Sequence, residues 1–97
     1  MHEASRRQKA FKITGRVQGV FFRVWTQQLA RELGLTGTVR NVRDGSVEAH
    51  VSGSPQAIQA FRERLWMGPP AALVEDVVER GSAAILPEDD FQILPSV

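Results

Sequence analysis

The sequence predicts an α+β sandwich in which one predominantly antiparallel sheet is covered on one face by two helices. Three observations carry this reading. Apolar and polar residues alternate in short runs, as in Phe11 and Ile13 against Lys12 and Thr14, which is the two-residue period of a half-buried strand. Two stripes, one of Phe22, Trp25, Leu29 and Leu33 and one of Ile58, Phe61 and Leu65, fall instead at helical spacing. The runs follow one another as strand, helix, strand, strand, helix, strand, and a single sheet backed by both helices buries every apolar stripe at once.

In chain order, residues 1–8 read as a flexible, solvated tail ahead of one domain over 9–97, and the first strand centres on Ala10 to Thr14. The first helix is expected over Val24 to Leu33, with Ala30 widening its stripe and Gly34 closing it as the residue after the C-cap. Strands are expected over Leu35 to Val42 and Ser46 to Ser52, joined by Arg43, Asp44 and Gly45, whose Asp-Gly pair is a hairpin signal. Val47, Ala49 and Val51 alternate with Glu48 and His50, so the histidine points away from the core. Ser54 suits the N-cap of the second helix and Pro55 its first turn, while Gly68, Pro69 and Pro70 end it. A valine-rich strand follows over Leu73 to Arg80, then a loop over Gly81 to Asp90. Phe91 to Leu94 read as a short edge strand stopped by Pro95. The order corresponds to the split βαβ, ferredoxin-like motif, a fold that hosts many activities, so function has to come from a site.

The 97 residues suffice for one core and no more, and 42% hydrophobic with 24% charged residues is ordinary for a globular domain. A net charge of +1 gives no general attraction to nucleic acid. The absence of cysteine excludes disulfides, thiolate nucleophiles and cysteine metal sites. No stretch approaches the ~20 apolar residues of a membrane span, and the polar, basic start (His2, Arg6, Arg7, Lys9) has no signal-peptide pattern. The expectation is a cytoplasmic protein with no membrane partner.

One stretch stands out chemically: Gly15, Arg16, Val17, Gln18, Gly19, Val20, Phe21, Phe22 and Arg23, between the first strand and the first helix. Glycines permit φ > 0 and allow successive backbone N–H groups to turn inward as an anion-binding nest. A helix N-terminus adds unpaired donors and the positive end of its dipole. A guanidinium there is unfavourable beside that dipole unless an anion sits between them, and its planar fork matches phosphate oxygens. All nine residues are therefore candidates for a phosphate cradle.

These residues also carry a resemblance. Ile13 to Arg23 is similar to the first signature of the acylphosphatase family, and Gly37 to Val47, followed by Gly53, resembles the second. Gly68 to Ala71 is likewise familiar from bacterial members, and the resemblance runs from about Lys9 to Ile93. It implies metal-independent hydrolysis of the carboxyl–phosphate bond of a small-molecule acyl phosphate, with Arg23 binding the phosphate and Asn41 positioning the attacking water. It implies the ferredoxin-like fold as well. Thr38 departs from the family's usual aromatic residue, and the C-terminal segment Gln92 to Val97 differs from common family endings.

The chemistry is self-consistent. The leaving group is a carboxylate whose conjugate acid has a pKa of about 4, so no general acid is needed. Phosphoryl transfer relies on positioning and electrostatic stabilisation, and a carboxamide such as that of Asn41 can orient water through its oxygen and its NH2 group. No Asp-x-Asp pair supports an aspartyl-phosphate route, and His2 and His50 with scattered carboxylates lack metal-ligand spacing, so neither metal nor cofactor is expected. Gly45, Gly53, Arg43 and Asp44 read as turn residues. Two other functions compete: a non-catalytic module binding a phosphorylated metabolite or protein, and an RNA-binding domain of the same element order. The strand Val47 to Val51 lacks the aromatics on which RNA bases stack, so no nucleic-acid partner is expected. Nothing demands more than a monomer.

Overall fold

The computed structural model describes residues 6–97. Its elements are β1 (Arg7–Arg16), α1 (Phe22–Glu32), β2 (Thr36–Asn41), β3 (Val47–Gly53), α2 (Pro55–Leu65), β4 (Leu73–Gly81) and β5 (Phe91–Ile93). The strands form one sheet in the order β4-β1-β3-β2-β5. β1 is antiparallel to β3 and β4, β2 is antiparallel to β3, and β5 runs parallel to β2. This is the expected α+β, ferredoxin-like arrangement. Because β1 and β2 flank β3 and run the same way, both end at one edge of the sheet. The β1–α1 loop, the start of α1 and the end of β2 therefore meet there.

The core lies between the sheet and the helices. Phe11 and Ile13 of β1, Val39 of β2, and Val47, Ala49 and Val51 of β3 are buried against Leu29 and Ala30 of α1 and Ile58, Phe61 and Leu65 of α2. Phe11 and Phe61 meet edge to face at 5.5 Å between ring centroids, a favourable packing of the ring quadrupoles. α1 ends in a Schellman arrangement: Leu35 N–H donates to the Ala30 carbonyl and Gly34 N–H to that of Arg31, with Gly34 at φ 73. α2 is capped by the Ser54 hydroxyl, which accepts from Ala57 N–H at 3.1 Å.

Several boundaries differ from the expectation. β1 starts at Arg7, where Arg7 and Gln8 pair with Gly53 and Ser52. The tail expected over 1–8 thus gives up Arg7 and Gln8 to the sheet, and residues 1–5, including His2, lie outside the described residues. β1 also runs on through Gly15 and Arg16, and α1 begins at Phe22, two positions before the expected Val24. Trp25 of α1 and Leu33 at its C-cap are only half-buried while Thr26 is fully buried, its hydroxyl donating to the Phe22 carbonyl at 2.8 Å. That bond removes the cost of an unpaired hydroxyl in the core. β4 takes in Gly81, and much of it is exposed at the sheet edge.

The loop expected over Gly81 to Asp90 is fastened to the sheet. Ser82 hydroxyl lies 2.6 Å from His50 Nδ1, and Gln8 donates to the Ala84 carbonyl at 2.6 Å. The C-terminal segment is anchored through Phe91, whose side chain is buried and whose carbonyl accepts from the Gln27 side chain at 2.9 Å. Arg31 pairs with Asp90 at 3.1 Å, and Leu94 and Val97 N–H groups donate to the carbonyls of Val39 and Asn41. Among the described residues no helix is long and apolar enough to cross a membrane.

Candidate active site

The candidate site is built from the loop that leaves β1. At the bulge between Thr14 and Gly15 the register with β4 slips, and Gly15 sits at φ 122 with its Cα facing β4. A Cβ there would press into the Leu73 carbonyl oxygen and the Glu75 N–H, so the residue is glycine for close approach as well as for φ. Arg16 is exposed, Val17 is buried as the loop's anchor, and Val20 packs against the core. Gly19 takes φ 77 with open space around it. Gln18 reaches across the sheet edge, and its Nε2 donates to the carbonyls of Val42 and Ser46, each at 2.8 Å. The loop is thereby tied to the hairpin that follows Asn41.

Phe21 stands at the N-cap of α1 in the left-handed conformation, φ 62, and no side chain caps the helix. The backbone donors of the first turn are left for another acceptor. The turn holds no acidic residue, and Arg23 is its cation, against the preference of the helix dipole. Phe22 fixes this end of the helix: its ring is buried and packs against Trp25 at 5.4 Å.

A cavity of about 310 Å³ opens at this place, lined by Val17, Gly19, Phe21, Phe22, Arg23, Val24, Asn41 and Ile93. Of the cradle residues, Val17, Gly19, Phe21, Phe22 and Arg23 reach it; Gly15, Arg16, Gln18 and Val20 support the loop from outside its wall. Asn41 is the last residue of β2, opposite Val47, and it lies on the helix side of the sheet with Val39. Thr38 alternates to the other face, opposite His50, so its size is not felt in the cavity.

Arg31, Arg40, Arg62 and Arg80 all pair with carboxylates. The Arg23 guanidinium and the Asn41 carboxamide make no hydrogen bond or ion pair with the described residues. Both half-buried groups are therefore available to a ligand in the one cavity they share. No group of three His, Asp or Glu side chains is gathered as a metal site among the described residues. Arg43 and Asp44 belong to the hairpin: Asp44 accepts from the Ser46 hydroxyl at 2.6 Å, pairs with Lys12 at 2.9 Å and accepts from Ser46 N–H at 2.9 Å, and the hydroxyl first, then these partners, hold its carboxyl well below the usual range.

Sequence reasoning missed Val24 and Ile93 in the cavity wall, and it named Gln18 as a cradle candidate without foreseeing its tie to the hairpin. Gln18 was visible only as a polar side chain in the apolar run Val17 to Phe22, and its acceptors are backbone carbonyls of a distant segment. Val24 was expected merely to start a helix, and Ile93 to lie within the closing strand Phe91 to Leu94.

Residues 9–93 match the family model described as Acylphosphatase. The chain is 44% identical over 88 residues to an acylphosphatase of Sinorhizobium medicae, covering 91% of this chain and 94% of that one. Its fold is similar to that of an acylphosphatase from Coxiella burnetii, with a TM-score of 0.86, 35% identity, and coverage of 95% of this chain and 96% of the other. It is also similar to part of full-length HypF, solved in its phosphate- and nucleotide-bound form, with a TM-score of 0.82, 28% identity, and coverage of 94% of this chain and 12% of that one.

Proposed function

This chain belongs to the acylphosphatase family, and from that premise we propose how it hydrolyses the carboxyl–phosphate anhydride of an acyl phosphate. The phosphate is held by Arg23 and by the 15–23 loop, chiefly through the backbone N–H groups of Val17 to Phe22. Asn41 orients a water on the far side of phosphorus. The water oxygen forms the new P–O bond as the bond to the acyl oxygen breaks, and the electron pair leaves with the carboxylate. The products are that carboxylate and inorganic phosphate, and the protons lost from water pass to solvent. The nest, the helix N-terminus and the guanidinium stabilise the charge on the equatorial oxygens without reorganising, where electrostatic catalysis is strongest. We place this chemistry in the cytoplasm, in a monomer acting on a small molecule.

The single observation that carries the reading is the pairing in one cavity of Arg23 and Asn41, both unengaged by the described residues and both beside an uncapped helix start. Phosphate release from benzoyl phosphate in the presence of a chelator tests it. Arg23→Gln is expected to lose at least ~10²-fold in rate, the cost of a lost oxyanion donor. Near-normal turnover would remove Arg23 from the mechanism. Asn41→Ala is expected to lower kcat while inhibition by inorganic phosphate stays close to wild type; collapse of phosphate affinity would make Asn41 a binding residue instead.

A second reading, a phosphate-binding module without turnover, draws on the likeness to a segment of HypF. Phosphate affinity without any release of phosphate from an acyl phosphate would mark it.

A further inference from the structure

Past the cradle, the cavity wall is apolar. Resting on the acyl phosphate reading above, we infer that Phe21, with Val24 and Ile93, forms the acyl side of the site and selects substrates whose acyl group is apolar and about the size of a benzene ring.

Phe21 is the observation that needs an explanation. It is 82% exposed, and it is the non-glycine residue with positive φ among the described residues. A large apolar side chain displayed to water on a backbone that favours glycine contributes nothing to the core, and a left-handed turn alone would be met better by glycine or asparagine. Such an outlier points to function at the place it occupies. Val24 is 44% exposed, and Ile93 comes in half-buried from β5. All three line the cavity that holds Arg23 and Asn41.

Size and charge narrow the occupant. A benzene ring fits an apolar cavity of about 150 Å³, so a space of about 310 Å³ has room for a ring beside the phosphate. In-line displacement puts the departing acyl oxygen opposite the water, so the acyl group needs a wall other than Asn41. Arg23 is the charged residue among those lining the cavity. With that guanidinium committed to the transferred phosphate, a second anionic group on the acyl portion would meet no cation in the wall.

The test is the ratio of kcat/KM for benzoyl phosphate to kcat/KM for acetyl phosphate, with chelator, in wild type, Phe21→Ala, Phe21→Leu and Val24→Ser. Any loss common to both substrates cancels in that ratio, including one from a disturbed cradle. The wild type is expected to favour benzoyl phosphate by about tenfold or more, the scale of a modest apolar contact. Phe21→Ala should bring the ratio to within about threefold of one, mainly through a higher KM for benzoyl phosphate, with Val24→Ser moving it the same way and Phe21→Leu keeping most of the preference. A wild-type ratio near one, or a ratio unchanged by both Phe21→Ala and Val24→Ser, overturns this inference while leaving the hydrolytic reading intact. Failure of the wild type to hydrolyse either substrate overturns both.

Discussion

Gln18 ties the 15–23 loop to the hairpin that follows Asn41. Its two hydrogen bonds, to the Val42 and Ser46 carbonyls, are the side-chain link between the loop and the hairpin. Each is worth about 0.5–1.5 kcal/mol, so Gln18→Ala is expected to cost about 1–3 kcal/mol in urea unfolding. The same change should lower kcat, because small misplacements of phosphate relative to water are costly. A variant with wild-type stability and wild-type turnover would contradict the tie. At this scale Arg23 and Asn41 were legible because their residue types stand in recognisable motifs. Gln18 stood among the cradle candidates, but its tie to the hairpin was hidden, since its partners lie 24 and 28 residues away along the chain and a local pattern carries no information about them.

Between elements, the loop that follows β4 is held to the open face of the sheet by the contact of His50 with Ser82. Burial pushes the His50 imidazolium pKa down; Glu48 opposes this, and Arg40 and Arg80 reinforce it. Since the folded pKa lies below the unfolded value of about 6.5, the unfolded chain binds more protons, and stability falls as pH drops through and below that value. The urea midpoint of the wild type is expected to fall between about pH 7.5 and pH 5.5, the histidine range, and His50→Gln should flatten that fall. Equal slopes for the two proteins would dismiss His50 as the titrating group. Glu79, Asp44 and Asp90 titrate elsewhere: the Arg62 hydrogen bond to Glu79, the Ser46 hydroxyl on Asp44 and the Phe91 N–H on Asp90 lower all three. Their contribution is therefore lost only in more acidic solution. Element identity followed from the sequence because strand and helix periods differ. Element ends did not, because Arg7 and Gln8 enter β1 only by pairing with Gly53 and Ser52, and α1 starts early only because the Phe22 ring is buried.

For the whole molecule, the topology does the assembling. β1 and β2 run parallel on either side of β3, so a loop leaving one and a side chain ending the other arrive at the same edge, and α1 starts there because it continues from that loop. The split βαβ order was readable from hydrophobic period alone. That it places Arg23 beside Asn41 follows from strand order, which the resemblance implied and local pattern could not give. A net charge of +1 adds no general attraction for anions, so under the proposed mechanism phosphate selectivity is local to the 15–23 loop. Amide and side-chain NMR shifts during titration with inorganic phosphate test this most directly. The expected result is that the largest shifts cluster at Val17 to Arg23 and the Asn41 carboxamide, and that Arg23→Gln abolishes them. Shifts centred instead on the Arg40, Glu48 and Arg80 face, or spread evenly over the surface, would contradict the account.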